Sequence, residues 1–421
     1  MIKKINFTFK NTRFILLSII SVFVTLTISV AVPYYKVVTI FLFGLHGTLI
    51  FFAPVKQSIQ IKFYFFIYIF YILWILTFSY INFKFQLGNR YLDSSLFFYF
   101  FLIYNEFRFF GKKFKNILLV QLILFCITLL STIYELRIDP FIIRNIISLR
   151  LDAKPFLLRF ISGYDFFYLM VFYSLIIYYW LLSNIKRLFL KRFNFSLFEI
   201  LSFLIFVLSS ILIISSNLLT GVIIFLIGIF IITYGFFFNF KINRIFFFSL
   251  FLIPFIYFSL FYFSGYFYSF VSNYFPEGYG KERLLFIIGF FTNGNNLSEI
   301  LIERDYVWRI SLDSFLKFPI FGSISSTTVY FENNQWFGFG QHSFIFDTFS
   351  LYGGLIGLLN LFLIIFPFRK LISLFKNHSF FIIIFSFLVL LFSFVNNLTG
   401  SIGFASFLLL PKYLKESIHE K

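Results

Sequence analysis

Arg304 lies in a segment, residues 299–317 (EILIERDYVWRISLDSFLK), that repeats its apolar residues with helical spacing. Leu301, Trp308, Leu312 and Phe315 fall on one stripe. Asp305–Arg309 and Asp313–Lys317 are i,i+4 pairs that satisfy each other on a solvated face. Arg304 has no acidic residue one turn away; its neighbours there are Ile300, Leu301, Val307 and Trp308. A guanidinium so placed either receives an external anion or extends its charged head to lipid headgroups. Arg159 poses the same choice, because Pro155, Phe156, Ser162 and Gly163 offer it no carboxylate. His342, in Gly338-Phe-Gly-Gln-His342-Ser343, can accept a proton near neutral pH and so act as base toward a hydroxyl. The bland reading is a histidine with an interfacial role at a helix end.

Some chemistries find no residues here. The chain has no Gly-rich nucleotide loop, no Cys/His metal spacing and no Asp-x-Asp pair. Its single cysteine, Cys126, lies in an apolar run, which excludes an internal disulfide. Neither a metal nor an organic cofactor is expected.

The elements that must position these residues are membrane helices. Of the residues, 60% are hydrophobic, 25% aromatic and 12% charged, too little polar surface for a soluble exterior. Apolar runs long enough to cross a hydrocarbon layer of about 30 Å recur from end to end. Such runs must satisfy their own backbone groups, so they are read as helices, and barrel-like alternation is absent. The expected fold is an all-α integral membrane protein with about twelve spans. They fall near 14–32, 37–54, 61–81, 91–107, 116–134, 164–183, 196–214, 218–238, 245–264, 343–366, 379–395 and 398–411. The first is read as a retained helix rather than a cleaved signal. The 77 Phe residues reflect codon bias and carry no functional weight individually.

The net charge of +18 suggests nucleic acid until its distribution is considered. With the N-terminus inside, Lys and Arg concentrate in the inner connections, as in Lys112-Lys113-Phe-Lys115, which places both termini in the cytoplasm. Two outer connections depart from this pattern. Residues 135–163 carry Arg137, Arg144, Arg150, Lys154 and Arg159, and the long connection 265–342 contains the 299–317 helix. The whole chain, 1–421, is read as one polytopic membrane domain.

Two stretches in this frame resemble a known family. Arg304-Asp-Tyr-Val-Trp308, continuing to Pro319-Ile-Phe-Gly322, resembles the R-x-x-x-W…P-hydrophobic-F-G stretch of the O-antigen polymerase and O-antigen ligase-like superfamily. His342-Ser343-Phe-Ile-Phe-Asp347…Tyr352-Gly353-Gly354-Leu-Ile-Gly357 resembles the segment that follows the same family's large outer loop. Arg159-x-x-x-Gly163 looks like its other loop arginine. There are two departures: Ser215-Ser216-Asn217 lacks the usual arginine, and no Pro-Asn element follows Gly163.

The resemblance implies a bacterial glycosyltransferase of the inner membrane, active on its periplasmic side. It would join oligosaccharide repeat units carried on undecaprenyl diphosphate into O-antigen or a related surface polysaccharide. His342 and Arg304 would be catalytic, with Arg304, Arg159, Arg150 and Trp308 binding substrate. The implied partners are the lipid-linked oligosaccharide, membrane lipid and a chain-length regulator, with no nucleic acid. A ligase moving the glycan to a lipid A core or protein would use the same chemistry. A flippase or secondary transporter is the rival of another class, against which stands the absence of an internal repeat. Gly353, Gly354 and Gly357 are expected to let another helix or the carrier approach, or simply to pack helices.

Overall fold

The computed structural model describes 59–81, 95–105, 112–139, 163–184, 196–216, 218–237, 308–323 and 343–418 as continuous stretches. Shorter described pieces are 12, 14–23, 41–42, 44–47, 142–143, 160–161, 265–266, 268–273, 281, 285, 288, 329–330 and 336–337. Among the described residues the architecture is helical apart from one two-residue antiparallel ladder, β1 (Val329–Tyr330) with β2 (Trp336–Phe337). In chain order the helices before the large connection are α1 (Phe14–Phe23), α2 (Ile59–Ile81), α3 (Ser95–Asn105), α4 (Lys112–Ile138), α5 (Tyr164–Ser183), α6 (Leu197–Ser215) and α7 (Leu219–Phe237). Helix α8 covers 308–317 within it. After it come α9 (Phe344–Leu374), α10 (Ser379–Val395) and α11, which runs Gly400–Phe404, through a π-helical turn Ala405–Leu409, to Leu410–Ile418.

Among the described residues seven helices are long and apolar enough to cross a membrane: α2, α4, α5, α6, α7, α9 and α10. The protein is membrane-embedded. The expected spans at 61–81, 116–134, 164–183, 196–214, 218–238 and 379–395 coincide with helices to within a few residues. Spans 37–54 and 245–264 fall wholly or largely outside the described residues. The expected span 91–107 is present as α3, whose described length of Ser95–Asn105 reaches only about 16 Å. Phe97, Phe98, Phe100 and Phe101 are all fully buried, so α3 is apolar on every side because protein surrounds it.

Close approach in the bundle depends on small residues. Along α7, Gly221, Gly228 and Gly235 recur every seventh position and face Phe167 and Leu175 of α5 and Phe380 of α10. A Cβ on Gly228 would lie 2.7 Å from Leu175. Helix α11 meets α3 backbone to backbone, and a Cβ on Gly403 would fall 2.5 Å from the Phe97 Cα. Hydroxyls join the helices elsewhere: Tyr413 Oη lies 2.6 Å from Tyr173 Oη and 2.7 Å from Ser202 Oγ. Glu199 closes a capping box with Ser196 at the start of α6. His46 is buried against Tyr99 Oη.

The tenth expected span, 343–366, requires correction. Gly353 has φ 77° and ψ −179°, which breaks α9 into α9a (344–352) and α9b (354–374). The two arms fold onto each other. Asn360 Nδ2 donates to Thr348 Oγ1 over 3.1 Å across 12 residues; a straight helix would separate them by about 18 Å. A Cβ on Gly357 would lie 2.6 Å from the Phe349 ring, eight positions back. The segment is therefore a re-entrant elbow: α9b is long enough to cross the bilayer, about 31 Å, and α9a is a half-helix turned back alongside it. Gly357 packs against another helical arm, as the packing reading expects, while Gly353 and Gly354 admit the loop at 319–322.

Candidate functional site

Helix α8 is seated on α9a through a ladder of contacts. Trp308 packs against Phe346 with ring centroids 6.1 Å apart, and Phe315 meets Phe349 edge-on at 5.4 Å. Between them Ser311 Oγ donates to Asp347 Oδ1 over 2.8 Å, with both residues buried. The carboxylate lies in the first turn of α9a, where the amide ends of a helix favour negative charge.

Beyond α8 the chain turns through Pro319-Ile-Phe-Gly322 and closes on the elbow. Ser323 N–H donates to Ser350 O over 2.8 Å, and Gly354 N–H donates to Pro319 O over 2.7 Å. Gly322 (φ +78°) and Gly353 (φ +77°) face each other across this seam. A Cβ on Gly322 would lie 2.1 Å from Leu351 O, and one on Gly353 2.0 Å from Ile320 O. Both the left-handed backbone and the absent side chain are required here. Two sequence motifs, distant in the chain, thus form one joint.

The other end of α9a reaches the rest of the bundle. Ser343 caps the half-helix, its Oγ accepting from Phe346 N–H at 3.1 Å. Phe344 N–H donates to Asn396 O at 3.2 Å, and Asn396 Nδ2 reaches Tyr168 Oη at 3.4 Å. Residues 396–399 form the non-helical break between α10 and α11. The N-termini of α9a and α11 therefore meet at this break, and α5 is tied to it one turn inside its own N-terminus. Gly163 and Thr399, which precede α5 and α11, give those helices no side-chain cap. Helix N-termini gathered this way favour anionic oxygen. Just ahead of α5, Phe160 has φ 54°, a conformation rarely adopted by a bulky residue and costing on the order of 1–3 kcal/mol.

Of the side chains singled out from the sequence, Trp308 is described; Arg150, Arg159, Arg304 and His342 lie outside the described residues. Trp308 sits half-buried on Phe346, with its Nε1 buried and lacking a hydrogen-bond partner among the described residues. Ser314 Oγ and Ser323 Oγ, also at the joint, lack partners too. Leu312, assigned above to the same stripe as Trp308 and Phe315, is 45% exposed and belongs to a different face. Ser311 and Asn396 are missed by charge and motif reasoning, whereas Asp347 stands in the second motif but its bond to Ser311 has no local spacing to announce it. For Asp347 the available signal is a carboxylate opening an otherwise apolar helix, and for Gly353 it is a glycine pair inside an apolar run.

These groups satisfy the start of α9a from within the protein: Ser343 and Asn396 take amides of its first turn, and Asp347 supplies the negative charge there. No family model, no curated protein and no solved structure matches the chain.

Proposed function

We propose that the protein is a polysaccharide polymerase of the bacterial inner membrane, joining oligosaccharide repeat units carried on undecaprenyl diphosphate. In this reading the chain has about twelve spans with both termini in the cytoplasm, and the joint of α8 with α9a lies at the periplasmic face. The acceptor is the non-reducing sugar of the newest lipid-linked unit. Its hydroxyl oxygen bonds to the anomeric carbon of the growing chain, and the bond from that carbon to the carrier diphosphate breaks. The bond's electron pair leaves with undecaprenyl diphosphate, and the hydroxyl proton passes to His342. Arg304, with Arg159 and Arg150, neutralises the diphosphate through paired N–H donors. One such contact is worth about 3 kcal/mol of barrier. Trp308 offers its indole beside the glycan.

The observation that supports this reading is the meeting of motif flanks. Trp308 and Ser311, which follow Arg304 in the chain, pack on Phe346 and Asp347, which follow His342. The same half-helix begins against Asn396, which contacts the α5 helix that follows Arg159.

Deletion of the gene in its host, followed by electrophoresis of surface glycans, tests the proposal. A polymerase predicts collapse of the ladder to a core bearing one repeat. A ligase predicts loss of attached glycan with accumulation of lipid-linked polymer. Unchanged glycans would reject both.

A further inference from the structure

We infer that α8 and the turn after it form an interfacial membrane element, seated partly in the lipid of the leaflet nearest the elbow. This inference does not rest on the proposed enzyme activity.

Helix α8 presents three sectors rather than two. Trp308, Ser311, Ser314 and Phe315 face the protein, against α9a or in buried positions. Beside them Leu312 and Leu316 are turned outward, 45% and 66% exposed. Next around the helix come the exposed charged residues Arg309, Asp313 and Lys317. A helix divided between protein, apolar surroundings and water suits the plane where lipid meets water. The apolar sector continues past the helix end into Phe318, Ile320 and Phe321, the last two 66% and 62% exposed. Five outward apolar side chains within ten residues exceed the scattered exposure normal for a wetted loop.

The occupant follows from what this surface joins. Gly354 N–H bonds Pro319 O, so Ile320 emerges beside the first turn of α9b. There Leu355 and Leu358 of a membrane-crossing helix are 61% and 62% exposed. Lipid covers those leucines, and the surface formed by Leu316, Ile320 and Phe321 extends the same face. Gly354 opens the crossing arm, whose charge-free part, 354–368, is about 22 Å long before Arg369 and Lys370 meet the opposite headgroups, which sets it toward the outer edge of the hydrocarbon layer. Asp313 and Lys317 then point to headgroups and water.

Spin labelling of single cysteines tests this, in a Cys126→Ser background with the full chain in phosphatidylcholine nanodiscs holding one copy each. Leu316→Cys and Ile320→Cys labels should be relaxed strongly by oxygen and weakly by a water-soluble nickel chelate, as at the lipid-facing control Leu358→Cys. Asp313→Cys should show the reverse. The inference is overturned if the labels at 316 and 320 respond to nickel as the label at 313 does; that would indicate a surface reserved for a protein partner or second copy. If a variant does not assemble, photolabelling of the unaltered protein by a diazirine-tailed phosphatidylcholine decides. Adducts on 312–321 are expected, and adducts on 355–358 without any on 312–321 would overturn the inference.

Discussion

At the scale of single residues, the joint depends on two glycines and one hydrogen bond. Gly353→Ala forces a side chain into an extended positive-φ backbone that is essentially reserved for glycine, a cost of about 1–3 kcal/mol, and drives a Cβ to 2.0 Å from Ile320 O. Backbone cannot give way as a side chain can. The Gly353 variant is expected to lower the thermal unfolding midpoint in detergent by many degrees, or to fail to accumulate. Gly354→Ala, whose Cβ would stand 3.2 Å from Pro319 O, should be far milder. Equal effects would contradict the seam as described. Ser311→Ala removes a donor to a buried carboxylate and should cost about 1.5–3 kcal/mol. Ser311→Thr retains the hydroxyl and should lose less; a thermal shift series on both measures the difference. Little of this was legible beforehand. Ser311 and Asp347 are 36 residues apart, and no local spacing rule relates them. Arg304 is legible as a candidate because a charge without a nearby counter-charge is visible in one dimension; it and His342 lie outside the described residues.

At the scale of elements, hydropathy predicts where apolar helices lie but not where one reverses. Six expected spans coincide with helices because a run of apolar residues and a helix in lipid have the same length requirement. The elbow in α9 was hidden for the same reason, since both of its arms are apolar. Only the left-handed Gly353 separates them. Paired cysteines can tell an elbow from a straight rod. In a Cys126→Ser background, Thr348→Cys with Asn360→Cys should form a disulfide under mild oxidation, because their side chains now touch. A straight helix would hold them about 18 Å apart, and no disulfide would form. The helical period of α8 was readable, but the assignment of its faces was not. Leu312 counts as apolar whether its neighbour is protein or lipid, and periodicity does not name the neighbour.

At the scale of the whole molecule, separate parts of the chain converge on the start of α9a. A bundle closed by glycine contacts on α7 and α11 carries one re-entrant half-helix, and the loop helix α8 is fastened to it. The flanks of three separate candidate positions come together there. Composition foretold a membrane protein, since a chain only 12% charged cannot cover itself with polar surface. The break at 396–399 was legible, since Asn396-Asn397 and Thr399-Gly400 interrupt an apolar run and the expected spans end at 395 and resume at 398; its place beside the start of α9a was not, because residues some fifty positions apart share no local pattern.

The most direct measurement of the central claim is reconstitution. Purified protein in nanodiscs, supplied with undecaprenyl-diphosphate-linked repeat units from its host and no added metal, should lengthen the glycan and release undecaprenyl diphosphate in step with each new linkage. Arg304→Lys and His342→Ala, inserted in the membrane as the parent is, should abolish both. Full-length polymer from both variants, or no lengthening by the parent protein, would contradict it.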